Sequence, residues 1–256
     1  SVDAVSVVVP TSCHREVSLP FLHRGIPVLL EKPVAHTLDD ARLIVNEAEQ
    51  SGAILQIGHL ERFNAGVVRL HKELDRPRFI EVHRLSEFVE RATDVDVVTD
   101  LMIHDIDIVL SLVRSELKYV SAVGASIVTN HVDIANARLE FEDGAIANVT
   151  ASRVSAKRFR RIRVFADACY LALNFEDQQI EISRPGKRPP DGRFAPIINS
   201  SIQVEPTPPL DSELAHFVDC VRKGKQPLVT GSDGLQALKV AYDVREKIEK
   251  SLHSFV

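Results

Sequence analysis

Hydrophobic positions along this chain change their period partway through. Val5 to Val9 and Pro27 to Leu30 are near-continuous apolar runs, the pattern of strands covered on both faces in a parallel sheet. Between them His14 to His23 predicts a helix stopped by Gly25, so the opening reads as strand, helix, strand. Leu38 to Gln50 predicts a second helix, opened at Thr37, with Ala41, Ile44, Val45 and Ala48 on one face and Ser51-Gly52 behind it. Ala53 to Gly58 is a third strand. Parallel strands joined this way end on one rim, where open α/β sheets bind ligands.

After Gly58 and a helix at Ala65 to Leu74, the pattern turns strand-rich. Runs at Phe79–Phe88, Tyr119–Thr129, Ile134–Phe141, Ala145–Ser152, Arg160–Ala166, Tyr170–Phe175 and Gln179–Ser183 are interrupted by one helical segment, Asp94 to Arg114. Glu142-Asp143-Gly144 predicts a hairpin, because glycine accepts positive φ. Arg184 to Pro209, rich in proline, predicts a loop without regular structure, and Ser212–Lys223 and Gly234–Leu252 predict two closing helices. The fold class is a partial Rossmann-like parallel α/β domain at residues 1–58, followed at residues 59–256 by a mixed or antiparallel open-sheet α+β domain with helices on one face.

Composition narrows the function classes. A formal net charge of −5 gives no reason to expect nucleic acid, and strand alternation splits the basic run Arg158 to Arg163 between two faces. No apolar stretch is long enough to span a membrane, and Val5 to Val9 lacks the basic flank of a signal peptide. Cys13, Cys169 and Cys220 are widely spaced and odd in number, which fits reduced thiols in cytoplasm and neither a disulfide frame nor a zinc site.

Two constellations carry candidate chemistry. Lys32 ends a buried strand, and Pro33 biases it to an extended conformation, so its ammonium has a defined direction. It shares its rim with Thr11 and Ser12. Asp100, His104 and Asp107 are spaced four and three apart, so one helical face can carry all three and a carboxylate can orient the imidazole. A surface pair or cap network fits that spacing as well. A metal reading is weaker, because no second histidine stands at helical spacing.

The chain resembles the Gfo/Idh/MocA family of nicotinamide-dependent oxidoreductases. The resemblance rests on Asp3-Ala4-Val5 through Pro10-Thr11-Ser12-Cys13-His14, on Glu31-Lys32-Pro33, on Gln56-Ile57-Gly58-His59 and Arg62-Phe63-Asn64, on Asp100 through Asp107, and on Glu213 through Phe217 with Gly231 through Leu235. It implies NAD or NADP as cofactor, contacted by Pro10, Thr11, Ser12, His14, Glu31, Lys32 and Pro33. It implies Lys32, His104 and Asp100 as catalytic residues, with His104 taking the hydroxyl proton, Asp100 orienting it and Lys32 supporting the substrate oxygen. Substrate would meet Lys32, His59, Arg62, Asn64, Asp100 and His104, while Arg62 serves equally well as a pin at the domain junction. The second domain would bind substrate and form a homodimer or homotetramer through its sheet.

The chain departs from the family pattern in three places. No G-x-G-x-x-G occurs, so the expectation is an N-terminally incomplete copy of the family's Rossmann domain. Met102 stands where the family has glycine, and Val97-Val98-Thr99 replace glycines before Asp100, a bulk expected to narrow the substrate pocket. The run Gly58 to Asn64 resembles members acting on nucleotide-linked amino sugars. Two functions remain: an NAD(P)-dependent oxidoreductase of a sugar or sugar-nucleotide hydroxyl, or a cofactor-deficient remnant that binds a ligand or partner without turnover.

Overall fold

The computed structural model describes residues 2–90, 95–190 and 194–253. The elements in chain order are β1 (Val5–Val7), α1 (His14–Leu22), β2 (Val28–Glu31), α2 (Leu38–Ser51), β3 (Leu55–Gly58), α3 (Ala65–Glu73) and β4 (Pro77–Leu85). There follow α4 (Ile103–Val113), β5 (Leu117–Ala125), β6 (Ile134–Phe141), β7 (Ile146–Ser152), β8 (Phe159–Ala166), β9 (Cys169–Asn174), β10 (Gln179–Pro185), β11 (Ile197–Gln203), α5 (Pro209–Lys223) and α6 (Gly231–His253). They form two compact units, Ser1–Asn64 with Thr207–Tyr242, and Ala65–Pro206 with Asp243–Val256. The closing helices therefore do not belong wholly to the second unit, as the sequence suggested: α5 and the start of α6 fold with the first.

In the first unit β1, β2 and β3 are parallel and adjacent in that order. Val28, Leu29 and Leu30 are buried, and each contributes on the order of 2 kcal/mol, which makes β2 a firm base for the residues that follow it. Helix α2 starts where the Thr37 hydroxyl oxygen accepts the Asp40 N–H at 3.1 Å, a cap contributing about 1 kcal/mol, and it stops at Gly52 in the left-handed region. Its buried residues are Ala41, Ile44, Val45 and Ala48, the face that periodicity predicts. Strand β3 is joined on its far side by the chain's later segment, through the Ile57 N–H to Val229 O bond at 3.1 Å and a Gln56–Thr230 bridge. Helix α6 opens there, one residue or two earlier than Ser232-Asp233 suggests, with Thr230 and Asp233 bonded reciprocally.

The second unit is an eight-stranded sheet in the order β11-β10-β9-β8-β4-β7-β6-β5. All neighbours are antiparallel except β4 with β7, so the sheet is mixed. The β6–β7 turn runs through Gly144 at φ 86°, as its sequence demands. Helix α3 covers β9 and β10, and α4 covers β4 and β7. Along β4, Ile80, Val82 and Arg84 face the helices, while Phe79, Glu81 and His83 face outward. The basic run on β8 divides as expected: Arg161 and Arg163 pair outward with Glu181 and Glu81, and Arg160 turns inward.

One expectation fails here. The stretch read as a featureless loop contains β11, which pairs along its whole length with β10. At least six of its seven residues are exposed, so no buried face marks it in the sequence; backbone pairing at a sheet edge forms it. Residues 91–94, at the start of the helical segment expected from Asp94, and 191–193 lie outside the described residues. Within the described part the segment begins as a wide π-helical turn at Val98–Met102 before α4.

Candidate active site

The first unit presents its strand ends as a rim. Pro10 and Ser12 are exposed, Thr11, Glu31 and Lys32 are half-buried, and Pro33 is buried. The Glu31 carboxylate turns back to accept the Lys32 N–H at 3.2 Å, which fixes the backbone that carries the ammonium. Gly58 makes room for this arrangement. A Cβ on it would stand 3.1 Å from the Glu31 carboxyl and 3.2 Å from Glu31 Cα, so any side chain at the end of β3 would press Glu31 out of this position.

His14 differs from its expected role. The ring has no exposed surface: Nδ1 lies 3.0 Å from the Pro33 carbonyl and Nε2 3.0 Å from the Val9 carbonyl. It fastens the end of β1 to the turn after β2 and so supports the rim from behind.

His59, expected to meet substrate, is 1% exposed. Burial, then the charges of Lys32 and Arg62, lower its pKa to about 3 against the opposing pull of Asp233, so the ring is neutral at physiological pH and takes no part as a proton acceptor. Arg62 reaches back to the Leu228 carbonyl at 3.4 Å, and Asn64 is buried. Next to them His216 packs its ring against Phe63 at 5.3 Å and accepts the Leu228 N–H at 2.9 Å. Burial lowers its pKa.

In the second unit Asp96 opens the helical segment, accepting the Thr99 N–H at 2.9 Å. The π-helical turn that follows carries Asp100, and His104 lies in the first turn of α4; such turns recur at functional sites because they displace side chains from regular helical positions. Both are half-buried, whereas Asp107, placed with them by spacing, is 2% exposed. Val97, Val98 and Met102 are fully buried. The bulk expected to narrow the pocket therefore goes into the core of this unit.

Asp100 and Leu101 instead form one wall of a cavity of about 480 Å³, whose other sides include Arg84, Ser86, Arg153, Arg158 and Arg160. Four guanidinium groups around one space are the least expected feature of the chain. Arg84 is tied to the buried Asp105 and Arg153 to the buried Asp133. Burial alone would raise the Asp133 pKa, but N–H groups of Thr129, Val128 and Ile127 outweigh it and hold the carboxylate ionised. Arg160 stacks on Phe175 at 3.9 Å, and Arg158 is exposed, 4.0 Å from Glu176. Sequence alone placed Arg158 and Arg160 within the basic run Arg158 to Arg163 and singled out neither Arg84 nor Arg153. Strand alternation, which turns Arg84 and Arg160 inward, was the signal that could have found them.

An accessible rim of hydroxyl, ammonium and carboxylate groups at the carboxyl ends of parallel strands suits the nicotinamide-ribose end of a dinucleotide. The parallel unit, that rim and the sheet unit with its Asp-His helix define a dehydrogenase of the Rossmann type. Residues 1–59 match the oxidoreductase family with an NAD-binding Rossmann fold, and residues 57–171 match the GFO/IDH/MocA C-terminal domain. The chain belongs to the Gfo/Idh/MocA family of NAD-binding oxidoreductases.

It is 32% identical over 252 residues to UDP-N-acetylglucosamine 3-dehydrogenase of Acidithiobacillus ferrooxidans, covering 98% of this chain and 80% of that protein. A solved structure of that enzyme superposes with a TM-score of 0.90 at 31% identity, over 97% of this chain and 80% of the other. The NAD-dependent scyllo-inositol 2-dehydrogenase of Bacillus subtilis is 27% identical over 259 residues, covering 93% of this chain and 73% of that protein. No helix among the described residues is long and apolar enough to cross a membrane.

Proposed function

We propose that the chain transfers a hydride between the hydroxyl-bearing carbon of a sugar nucleotide and a nicotinamide cofactor. The observation that carries the sugar-nucleotide half is the arginine-lined cavity beside Asp100. A guanidinium fork matches phosphate oxygens, and a free polyol offers no charge for it to meet. Similarity to a UDP-N-acetylglucosamine dehydrogenase supports the same choice.

The cofactor, when bound, supplies the hydride acceptor. On oxidation the substrate hydroxyl gives its proton to His104 as the carbinol hydrogen departs with its electron pair, and the reverse reaction returns both. Asp100 fixes the imidazole and offsets the positive charge it acquires. The Lys32 ammonium stabilises the oxygen as negative charge develops there. Pro10, Thr11, Ser12, Glu31 and Pro33 bound the cofactor rim. The exposed outer face of the sheet, with Tyr119, Val123, Phe159 and Phe165, is the surface for a homo-oligomer, which sedimentation would test.

Turnover is tested with the full-length protein on a panel of sugar nucleotides and free polyols, followed by nicotinamide absorbance. Sugar nucleotides are the expected substrates, and His104→Ala and Lys32→Ala each lower kcat by about 10²- to 10⁴-fold with substrate binding kept. Turnover retained in both variants rejects these roles, and exclusive use of free polyols rejects the substrate class.

A further inference from the structure

The last helix reaches the segment that carries Asp100. From Asp243 onward α6 belongs to the second unit, where Val244 and Ile248 are buried. A Cβ on Gly124 of β5 would stand 3.0 Å from Ile248 Cγ2 and 2.7 Å from Val132 Cγ1, so a glycine in the strand lets helix and loop settle closely on it. Arg245, next to Val244, therefore projects from a fixed support. Its Nε lies 3.2 Å from Asp96 Oδ2.

Asp96 is where the π-helical turn is tied. Its Oδ1 accepts the Thr99 N–H at 2.9 Å, its Oδ2 accepts the Thr99 hydroxyl at 3.1 Å, and its carbonyl accepts the Asp100 N–H at 3.1 Å. The next residue, Val97, donates its N–H to the Val132 carbonyl at 2.9 Å, which fixes the backbone there but leaves the Asp96 side chain to its own partners. The Thr99 donors move with the turn, so they close it without setting its direction. Among the described residues, Arg245 is the one partner of the Asp96 carboxylate that comes from another element. The Asp96 side chain is 13% exposed, so solvent only partly screens the attraction. Wide turns of this kind are rare, and one that persists needs such a hold at its start.

We propose that Arg245 is a positioning residue for Asp100, acting through the Asp96 carboxylate. The pair pins the start of the turn to α6, and the turn delivers Asp100 to the wall of the arginine-lined cavity. Without Arg245 the carboxylate rotates, its bonds to Thr99 loosen, and Asp100 leaves the place from which it fixes the imidazole. The role in turnover rests on the reading of Asp100 and His104 given above; the placement of the turn does not.

The test is the backbone amide resonances and hydrogen exchange of Thr99 and Asp100 in the full-length protein. In Arg245→Met both amides are expected to shift and to exchange about tenfold faster, a local opening that leaves β6 and β7 at parent values. Arg245→Lys should restore most of the parent pattern, because an ammonium still meets the carboxylate. Unchanged Thr99 and Asp100 amides, or equal acceleration across the sheet, overturn the proposal. Should Arg245→Met fail to fold, Asp96→Asn decides by the same two results, since it keeps an acceptor for Thr99 and removes the charge. In turnover, Arg245→Met is expected to lower kcat about tenfold with KM within about twofold, because the arginines of the cavity are untouched. Asp96→Asn combined with Arg245→Met should lose no more than the more severe single variant. Unchanged kcat, a rise in KM alone, or additive losses overturn the role in turnover. A protein that turns over no sugar nucleotide yet shows the amide response overturns the reading of the reaction and upholds the positioning.

Discussion

Arg84 donates twice to Asp105, at 2.7 and 2.8 Å, joining the inner face of β4 to α4 one residue beyond His104. The Asp105 side chain is fully buried and that of Arg84 is 13% exposed. The pair therefore fixes the helix that presents the candidate proton acceptor.

Asp105→Ala is expected to cost about 3 kcal/mol, because it strips a buried guanidinium of its bidentate partner. Urea denaturation measures it. Arg84→Lys should also destabilise, since an ammonium lacks the planar fork, whereas Arg84→Met with Asp105→Leu should recover most of the loss. A loss under 0.5 kcal/mol for Asp105→Ala would show that the pair does not anchor α4.

Gly58→Ala inserts a methyl against Glu31, where both the carboxyl and Cα stand within 3.2 Å. Overpacking of this kind costs roughly 1–3 kcal/mol. The larger effect is expected on kcat, because relief comes by moving Glu31 and with it the Lys32 backbone. Thermal unfolding and steady-state kinetics on one preparation separate the two; a stability loss with unchanged kcat contradicts the coupling.

Arg158 is exposed and Arg160 is stacked on Phe175, so their removal should differ. Arg158→Ala is expected to raise KM for a sugar nucleotide about tenfold, near 1.4 kcal/mol, with Tm unchanged. Arg160→Ala should raise KM and lower Tm together. Salt should mimic Arg158→Ala in the parent, because an exposed charge is screened within about 10 Å at 0.1 M ionic strength. KM values insensitive to both changes would remove the cavity from substrate recognition.

His59 makes stability depend on pH on the acid side. Its folded pKa, about 3, lies below the unfolded 6.5, so between these values the unfolded chain binds a proton that the folded chain refuses. Stability falls as pH drops through that window, by on the order of 2 kcal/mol between pH 7 and about pH 4.5. In His59→Gln the slope should flatten. Urea midpoints at the two pH values measure it, and equal slopes in parent and variant would refute the assignment.

How much of this was legible in sequence depends on what each pattern encodes. Leu38 to Gln50 was readable because its apolar spacing, Thr37 cap and Gly52 stop agree. Strand β11 was not, because Ile197 to Gln203 buries no face and is held by backbone pairing that leaves no period. The two closing helices were readable as helices, but nothing in their sequence showed that α5 and the start of α6 fold with the first unit. The chemistry divided in the same way. Lys32 stood out because an apolar run led to it, while nothing in the spacing of His14 and His59, expected at the cofactor and the substrate, showed that the fold would enclose both rings. Glu213, buried on α5, carried a faint signal: it falls on the same helical stripe as Phe217 and Cys220, where a carboxylate has no ordinary reason to be.

The division of the chain also bears on any attempt to dissect it. Unit one is discontinuous, built from Ser1–Asn64 and Thr207–Tyr242, and Ala65–Pro206 is in effect an insertion within it. A contiguous fragment ending near Asn64 would lack α5 and Thr230, leaving the outer side of β3 uncovered. A fragment beginning at Ala65 would carry Phe217 and Leu238, whose burial belongs to the other unit. Terminal deletion series would thus report misfolding in place of function, and the dinucleotide-binding half would be isolated only by excising the middle and rejoining the flanks.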